Sequence, residues 1–249
     1  MRDRILEELR RIEETENVKV LLAVESGSRA WGFASPDSDY DVRLIYVRRT
    51  EEYLKLKPVR DVIEWKLDES LDINGWDLKK ALQLLYASNP TIFEWCTSPV
   101  VYLEREEFSA FRKLLPQYFS VKKSLFHYWH MAESNYRKYL KEDMVRVKKY
   151  LYVLRPLLAA KWVSERKTAP PMLFDELLDA VLEDALRPEV EKLLVLKKSV
   201  PEIGLTPRIR LFNDYIDKSM PEIKEIAESI YEGKHNWEPL DQVFCEMIG

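Results

Sequence analysis

The sequence predicts an α/β amino-terminal domain followed by an all-helical carboxyl-terminal domain. Short apolar runs, rich in branched residues and separated by turn signals, occupy the chain up to about residue 105, as expected for buried strands. Beyond that point apolar residues recur at helical spacing and prolines punctuate the pattern. We therefore expect two domains, residues 1–105 and residues 106–249.

The amino-terminal domain is expected to open with one helix and two strands. Between residues 3 and 15, isoleucines and leucines fall on one stripe at helical spacing, which predicts an amphipathic helix. Residues 18–24 form a short continuous apolar run, typical of a buried central strand. Glycine, serine and proline then interrupt the pattern, and a second strand is predicted at residues 39–47.

A hairpin, two helices and a short strand complete the predicted domain. Strands are expected at residues 58–66 and 70–76, and the Asp-Glu-Ser turn signal at 68–70 indicates that they pair as a hairpin. Asn89 followed by Pro90 is typical of an N-cap and a first-turn proline. The remaining elements are predicted helices at 77–88 and 90–95 and a predicted strand at 98–103.

Composition excludes several classes of protein. The 249 residues are 46% hydrophobic and 33% charged, which excludes a disordered or collagen-like chain. No apolar run approaches the roughly 20 residues of a membrane span, and the charged first residues are unlike a secretion signal. Cys96 and Cys245 lie far apart without metal-type spacing, as ordinary reduced thiols do. We expect a soluble, cytoplasmic protein with no membrane partner.

Positive charge is concentrated in one segment of a chain whose net charge is −4. Residues 119–167 carry twelve lysines or arginines against four acids, a balance of +8. Aromatic residues are interleaved with these cations, so the segment could attract a polyanion. The alternative is a solvated helix face whose aromatic residues simply belong to the core, and composition does not separate the two.

The pattern with the clearest chemical meaning joins Gly27 and Ser28, across ten intervening residues, to Asp39 and Asp41. Side chains at i and i+2 of a strand point to the same face, so the two carboxylates are expected side by side. Two adjacent anions need a proton or a cation, and hard oxygen ligands suit Mg²⁺ or Mn²⁺. The turn at Gly27 could offer N–H groups and a hydroxyl to a phosphate. Together these features predict a metal–nucleotide substrate.

A third acid on a neighbouring strand would complete a two-metal site for in-line displacement at phosphorus. Asp72 is our choice, with Glu64 on the adjoining strand as the reserve. Arg43 continues the alternation of Asp39 and Asp41, so it should project beside the metal ligands and could meet a phosphate. A surface arginine paired with one of those acids is its structural alternative. Glu25, before the turn, is expected at most to cap or brace it.

One face of the long helix predicted near residues 141–166 is a further candidate. Lys148, Tyr152 and Arg155 share a stripe, so charge and stacking could bring them to a nucleotide. A set of solvated or structurally paired side chains is the alternative.

Residues 27–43, GSRAWGFASPDSDYDVR, resemble the nucleotidyltransferase signature of the DNA polymerase β superfamily. In that signature a Gly-Ser pair precedes an Asp-x-Asp strand, and a third acid follows later. More closely, the chain resembles the RlaP group of predicted nucleotidyltransferases, associated with RNA repair. The similarity extends through four further segments, residues 71–82, 88–95, 148–162 and 237–244.

The resemblance implies a polymerase-β-type domain with a small mixed sheet, followed by a helical domain. It also implies Gly27 and Ser28 at the triphosphate, and Asp39, Asp41 and Asp72 at two Mg²⁺ or Mn²⁺ ions. We expect a metal-dependent nucleotidyltransferase that transfers NMP from an NTP to an acceptor hydroxyl with release of pyrophosphate. An RNA end is the first expected acceptor. The alternatives are modification of a small molecule or a protein, or a non-catalytic nucleotide-binding protein of the same fold.

Overall fold

The structure is a computed structural model that describes residues 1–66, 68, 70–199, 204–233 and 235–249. The chain divides into two compact units. The first, here called the sheet unit, comprises Met1–Ala30, Asp39–Phe119 and Lys234–Gly249. The second, here called the helical unit, comprises Trp31–Ser38 and Ser120–Gly233.

These units divide the chain differently from the boundary expected at residue 105. Residues 106–119 and the carboxyl-terminal segment join the sheet unit, because apolar side chains such as Leu240 are buried there. Residues 31–38 join the helical unit, where the carbonyl of Trp31 accepts the N–H of Phe174 at 2.9 Å. The expected boundary at residue 105 therefore coincides with the end of the last strand of the sheet, Glu104, whereas the packed units divide the chain elsewhere.

A five-stranded mixed sheet forms the centre of the sheet unit. Its strands are β1 (Val18–Glu25), β2 (Tyr40–Arg48), β3 (Val62–Lys66), β4 (Leu71–Asp77) and β5 (Val101–Glu104). Their order in the sheet is β3-β4-β2-β1-β5. The β2–β4 pair is parallel and the other pairs are antiparallel. The predicted central strand is confirmed, because β1 lies between two partners. The antiparallel pairing of β3 with β4 confirms the predicted pairing of the hairpin, whereas residue 69 of its predicted turn lies outside the described residues.

Helices account for most of the remaining described residues. In chain order they are α1 (Arg2–Glu16), α2 (Gly27–Ala30), α3 (Thr50–Tyr53), α4 (Leu78–Tyr86), α5 (Pro90–Cys96), α6 (Phe108–Tyr118), α7 (Val121–Tyr139), α8 (Val147–Arg166), α9 (Phe174–Val181), a 3₁₀ turn (Asp184–Leu186), α10 (Arg187–Ser199), α11 (Arg210–Ser229) and α12 (Glu238–Ile248). The α/β amino-terminal and mainly helical carboxyl-terminal architecture is thus as predicted. Among the described residues, no helix is long and apolar enough to cross a membrane.

The carboxyl-terminal part differs from the all-helical prediction at two short strands. These are β6 (Met144–Arg146) and β7 (Leu205–Pro207), which pair in antiparallel register. Only Val145 at the centre of β6 is buried, with an exposed residue on either side. Three residues are too few to establish a recognisable strand period, which is why the sequence pattern missed this pair.

The core of the sheet unit lies between α1 and the sheet. Ile5, Leu9 and Ile12 repeat at helical spacing and are at most 1% exposed. They belong to one buried cluster with strand residues that include Val20 and Val42. This packing holds β1 and β2 rigidly, and those two strands lead into the predicted site.

Local capping explains where α5 begins. The side chain of Asn89 accepts the N–H of Thr91 at 2.9 Å, and Pro90 occupies the first helical turn. This confirms the N-cap and first-turn proline predicted from the sequence.

Candidate active site

Parallel pairing of β2 and β4 brings two of the predicted acids together. In the register of these strands Asp41 lies opposite Asp72, next to the pair of Tyr40 and Leu71. Side chains of paired residues on adjacent strands project from the same face of a sheet. Asp41 and Asp72 therefore stand side by side, each near the first residue of its strand.

The guanidinium of Arg43 bridges these two carboxylates. Its Nη2 lies 2.9 Å from Oδ1 of Asp41, and its Nη1 lies 2.9 Å from Oδ2 of Asp72. Nη1 also donates to the backbone carbonyl of Asp72 at 3.2 Å. Arg43 is two residues beyond Asp41 on β2, so strand alternation accounts for the contact. The guanidinium supplies the positive charge that two adjacent carboxylates need.

Asp39 lies immediately before β2 and is exposed. Its backbone carbonyl accepts the Nε–H of Arg29 at 3.0 Å, and the Arg29 guanidinium lies 3.7 Å from the centre of the Tyr40 ring. The Asp39 carboxylate is close enough to Asp41 to influence its protonation. Asp39 therefore shares the electrostatic environment of Asp41 and Asp72.

Burial raises the pKa of Asp41 above its ordinary value. The Arg43 guanidinium opposes this rise, whereas the carboxylates of Asp72 and Asp39 add to it. In such surroundings the negative charge of Asp41 carries a free-energy cost that an approaching cation relieves. In the structure the Arg43 guanidinium, 2.9 Å from Oδ1 of Asp41, is the cation that meets part of this cost.

The turn at Gly27 lies directly against the Asp41 carboxylate. Gly27 has a φ of 62°, and a Cβ atom at this position would collide with Oδ2 of Asp41. The N–H of Ser26 donates to the carbonyl of Asp41 at 2.8 Å. A glycine permits both this left-handed backbone and the close approach. Ser28 follows in α2 and is partly exposed.

Sequence reasoning understated one residue of this site, Glu25. Its side chain is 1% exposed, and its Oε1 accepts the N–H of Asp41 at 2.8 Å. The hydroxyl of Tyr102 donates to Oε2. Burial raises the pKa of Glu25, while the hydrogen bonds from Tyr102 and Asp41 oppose that rise. A charged residue directly after the five apolar residues 20–24 was the signal that could have identified it.

The reserve acid, Glu64, lies elsewhere on the sheet. It is paired with Asn74 across β3 and β4, not with Asp72. Its carboxylate accepts a hydrogen bond from Nη2 of Arg60 at 3.0 Å, and its side chain is 70% exposed. Asp72, joined to Asp41 through Arg43, is therefore the better placed of the two candidates.

The oxygen donors at this site fit a hard divalent cation. Within the described ranges, no three His, Cys, Asp or Glu side chains are gathered closely enough to hold a metal ion. The side chains of Asp41 and Asp72 are nevertheless 35% and 44% exposed, so both are open to solvent. Carboxylates are the ligands that Mg²⁺ and Mn²⁺ prefer. The type of donor therefore suits either ion, while in the structure both carboxylates contact Arg43.

The predicted nucleotide-binding stripe on α8 belongs to the helical unit. Lys148 and Tyr152 are partly exposed, but Arg155 is 2% exposed. Its guanidinium lies 4.5 Å from the centre of the Trp31 ring, and its Nη2 lies 3.5 Å from Sδ of Met172. Of the three residues expected on one surface stripe, only Lys148 and Tyr152 are therefore exposed in part, because Arg155 is buried against the Trp31 ring.

This chain is similar to a known protein family, to a relative and to a solved structure. The family described as the RNA repair pathway DNA polymerase beta family, RlaP, matches residues 1–246. The uncharacterized protein YcgL of Bacillus subtilis (strain 168) is 44% identical over 232 residues, which cover 92% of this chain and 89% of that protein. Among solved structures, a nucleotidyltransferase-like protein from Exiguobacterium sibiricum 255-15 is 12% identical with a TM-score of 0.31, over 96% of this chain and 77% of that chain.

The family match and the Bacillus subtilis relative each cover nearly the whole chain. The matched range includes Gly27, Asp41 and Asp72, which lie together at the start of β2 and β4. The chain therefore belongs to the RlaP family, a polymerase-beta-type family of nucleotidyltransferases.

Proposed function

We propose that this protein is a metal-dependent nucleotidyltransferase that transfers NMP from an NTP to an acceptor hydroxyl and releases pyrophosphate. The observation that carries the proposal is the pair of solvent-accessible carboxylates, Asp41 and Asp72, on adjacent parallel strands. The turn at Gly27, packed against Asp41, adds a place for phosphate beside the acids. Family membership supports the same class of reaction.

Three carboxylates are proposed to hold two Mg²⁺ or Mn²⁺ ions. Asp39 and Asp41 would bind both ions, and Asp72 would bind one of them. When bound, the ions would neutralise phosphate charge and make the acceptor hydroxyl more acidic. The raised pKa of Asp41 and its repulsion from Asp72 and Asp39 support a cation at this position.

The proposed chemistry is an in-line displacement at the α-phosphorus. The acceptor oxygen forms a bond to that phosphorus while the bond to the bridging oxygen of the β-phosphate breaks. The electron pair of the broken bond leaves with pyrophosphate, and the hydroxyl proton passes to the carboxylate of Asp72. Its 44% side-chain exposure supports this role, since an acceptor from solvent can reach it.

The triphosphate is proposed to lie against Gly27 and Ser28, which would offer backbone N–H groups and a hydroxyl. Arg43 would contact the same phosphates after leaving a carboxylate, because a guanidinium pairs with phosphate oxygens as it does with carboxylate oxygens. Its present position beside both acids supports such an exchange of partners.

An RNA end is the proposed first acceptor. The balance of +8 over residues 119–167 supports it, because lysine and arginine contacts to phosphate dominate affinity for nucleic acid. The family description, which names an RNA repair pathway, supports the same choice. Lys148 and Tyr152 stay predicted nucleotide contacts, whereas the burial of Arg155 argues against the direct contact predicted for that residue.

The proposal is tested by offering labelled NTPs with RNA ends, proteins and small hydroxyl compounds in Mg²⁺ or Mn²⁺. We expect label on the RNA together with released pyrophosphate. Asp39→Asn and Asp41→Asn should lower turnover by about 100-fold or more, because metal ions contribute several kcal/mol to such transition states. Asp61→Asn is the matched control, since Asp61 is an exposed acid of the sheet unit paired with Lys80 at 2.9 Å.

Other outcomes would redirect the proposal. Label on a small molecule or protein alone would replace RNA as the acceptor. No pyrophosphate with any NTP, in either ion, would support a non-catalytic nucleotide-binding protein. Full activity of Asp41→Asn would contradict the metal assignment. The cytoplasmic location expected from the sequence stays a prediction, to be checked by fractionation.

A further inference from the structure

Glu25 is a buried carboxylate whose two oxygens are both engaged next to the proposed metal site. Its Oε1 accepts the backbone N–H of Asp41 at 2.8 Å, and its Oε2 accepts the hydroxyl of Tyr102. At 1% exposure it is closed to solvent, so it is not itself placed to bind an ion. Glu25 contacts the backbone of Asp41, whereas the side chain of Asp41 is the proposed metal ligand.

The path of β1 explains why a side chain is needed there. The strand ends at Glu25, and the chain turns at Gly27 with a φ of 62°. Between Glu25 and this turn the N–H of Ser26 still pairs with the carbonyl of Asp41, whereas the N–H of Asp41 is directed to a side-chain oxygen. A buried strand N–H without an acceptor costs free energy comparable to a lost hydrogen bond. The Glu25 carboxylate therefore supplies the acceptor that the backbone of β1 does not offer to the N–H of Asp41.

Hydrogen bonds also hold the backbone of Glu25, at its N–H and at its carbonyl. Its N–H donates to the carbonyl of Val100 at 2.9 Å, and its carbonyl accepts the hydroxyl of Ser98 at 2.6 Å. Tyr102, which orients the carboxylate, is on β5 and is 8% exposed. A continuous path of hydrogen bonds thus runs from β5 through Glu25 to the backbone of Asp41. Both oxygens of the Glu25 carboxylate therefore already have a donor, one on β5 and one on β2.

We propose that Glu25, oriented by Tyr102, is a positioning residue that sets the Asp41 carboxylate for binding of a divalent ion. The proposal rests on the proposed function, since it takes Asp41 as a metal ligand. Hydrogen-bond partners behind a metal ligand orient it, and their loss lowers metal affinity by about 10- to 100-fold. A merely structural carboxylate would alter stability without altering affinity in the folded protein.

The test is the affinity of the purified protein for Mn²⁺, measured by electron paramagnetic resonance of the free ion, with folding checked by circular dichroism. Glu25→Ala should weaken binding by about 10-fold or more, and Tyr102→Phe should weaken it by a smaller factor. Glu25→Gln should retain most of the affinity, because its amide oxygen can still accept the N–H of Asp41.

Glu13→Ala is the matched control. Oε1 of Glu13 also accepts a strand N–H, that of Val20 at 2.8 Å, at the opposite end of β1. It should leave Mn²⁺ affinity unchanged. Wild-type affinity in both Glu25→Ala and Tyr102→Phe, or an equal loss in Glu13→Ala, would overturn the inference. If Glu25→Ala does not fold, Tyr102→Phe decides: weaker binding supports the inference and wild-type binding overturns it.

Asp41→Asn separates this inference from the proposed function. Binding that depends on Asp41 but not on Glu25 would overturn the positioning role alone. Absence of Mn²⁺ binding in the wild type, or binding that Asp41→Asn leaves unchanged, would overturn the proposed metal site itself.

Discussion

Single residues at this site are constrained by their neighbours more than by their own chemistry. Gly27 is the clearest case, because a side chain there would occupy the space of the Asp41 carboxylate. Asp41 in turn is held by Arg43 through its side chain and by Glu25 through its backbone. A change at one position therefore reaches the proposed chemistry by way of Asp41.

Gly27→Ala is expected to destabilise the fold and to lower activity. The left-handed backbone costs a non-glycine residue about 1–2 kcal/mol, and the new methyl group would push the Asp41 carboxylate aside. The free energy of unfolding from urea titration and the rate of pyrophosphate release measure the two effects. Gly233→Ala is the control, because a Cβ there meets nothing within 4 Å. Equal stability and activity of Gly27→Ala and wild type would contradict this account of the turn.

At the scale of secondary-structure elements, Asp77 joins two of them. It ends β4 and is the N-cap of α4, where its side chain accepts the N–H of Lys79 at 2.8 Å. The Tyr53 hydroxyl donates to it at 3.0 Å. Burial raises the pKa of Asp77 from its ordinary value of 3.8, and the hydrogen bonds from Lys79 and Tyr53 only partly oppose this. The sheet-to-helix junction thus contains a titratable group.

Asp77→Asn should change how stability depends on pH. A carboxyl whose pKa is higher in the folded than in the unfolded chain stabilises the fold below its unfolded pKa, and that stability is lost as pH rises through the folded pKa. The free energy of unfolding of the wild type, relative to Asp77→Asn, should therefore decline as pH rises from near 3.8, the ordinary value. Asparagine keeps the cap. Urea titrations at several pH values measure the difference, and a difference that grows with pH would contradict the prediction.

At the scale of the whole molecule, the chain returns to the sheet unit at its carboxyl terminus. Leu240 of α12 is 1% exposed, and the ring of Phe244 packs edge-on against Tyr53 at 5.1 Å. The Thr50 hydroxyl donates to the carbonyl of Ile248. The last helix is therefore part of the unit that contains the three acids, although it is remote from them in sequence.

Leu240→Ala should destabilise the sheet unit by about 2–5 kcal/mol, because it removes a fully buried side chain and leaves a cavity. Hydrogen exchange followed by mass spectrometry should show faster exchange in β1, β2 and α4. Leu54→Ala is the control, since Leu54 is of equal size, lies in the same unit and is 77% exposed. Unchanged exchange in those elements would contradict the assignment of α12 to the sheet unit.

The sequence by itself determined whatever depends on neighbouring residues. Strand alternation brought Asp41 and Arg43 to one face, and Asn89 with Pro90 marked the start of α5. These features are local because backbone geometry and capping act over a few residues. The Gly-Ser turn and the Asp-x-Asp pattern were equally legible, and they led to the correct family.

Only the tertiary structure decided which distant residues meet. It paired Asp41 with Asp72 in preference to Glu64, and it joined Glu25 to Tyr102, 77 positions away. It also covered Arg155 with Trp31. Such contacts are set by strand register and close packing of the whole core, which no short stretch of sequence encodes.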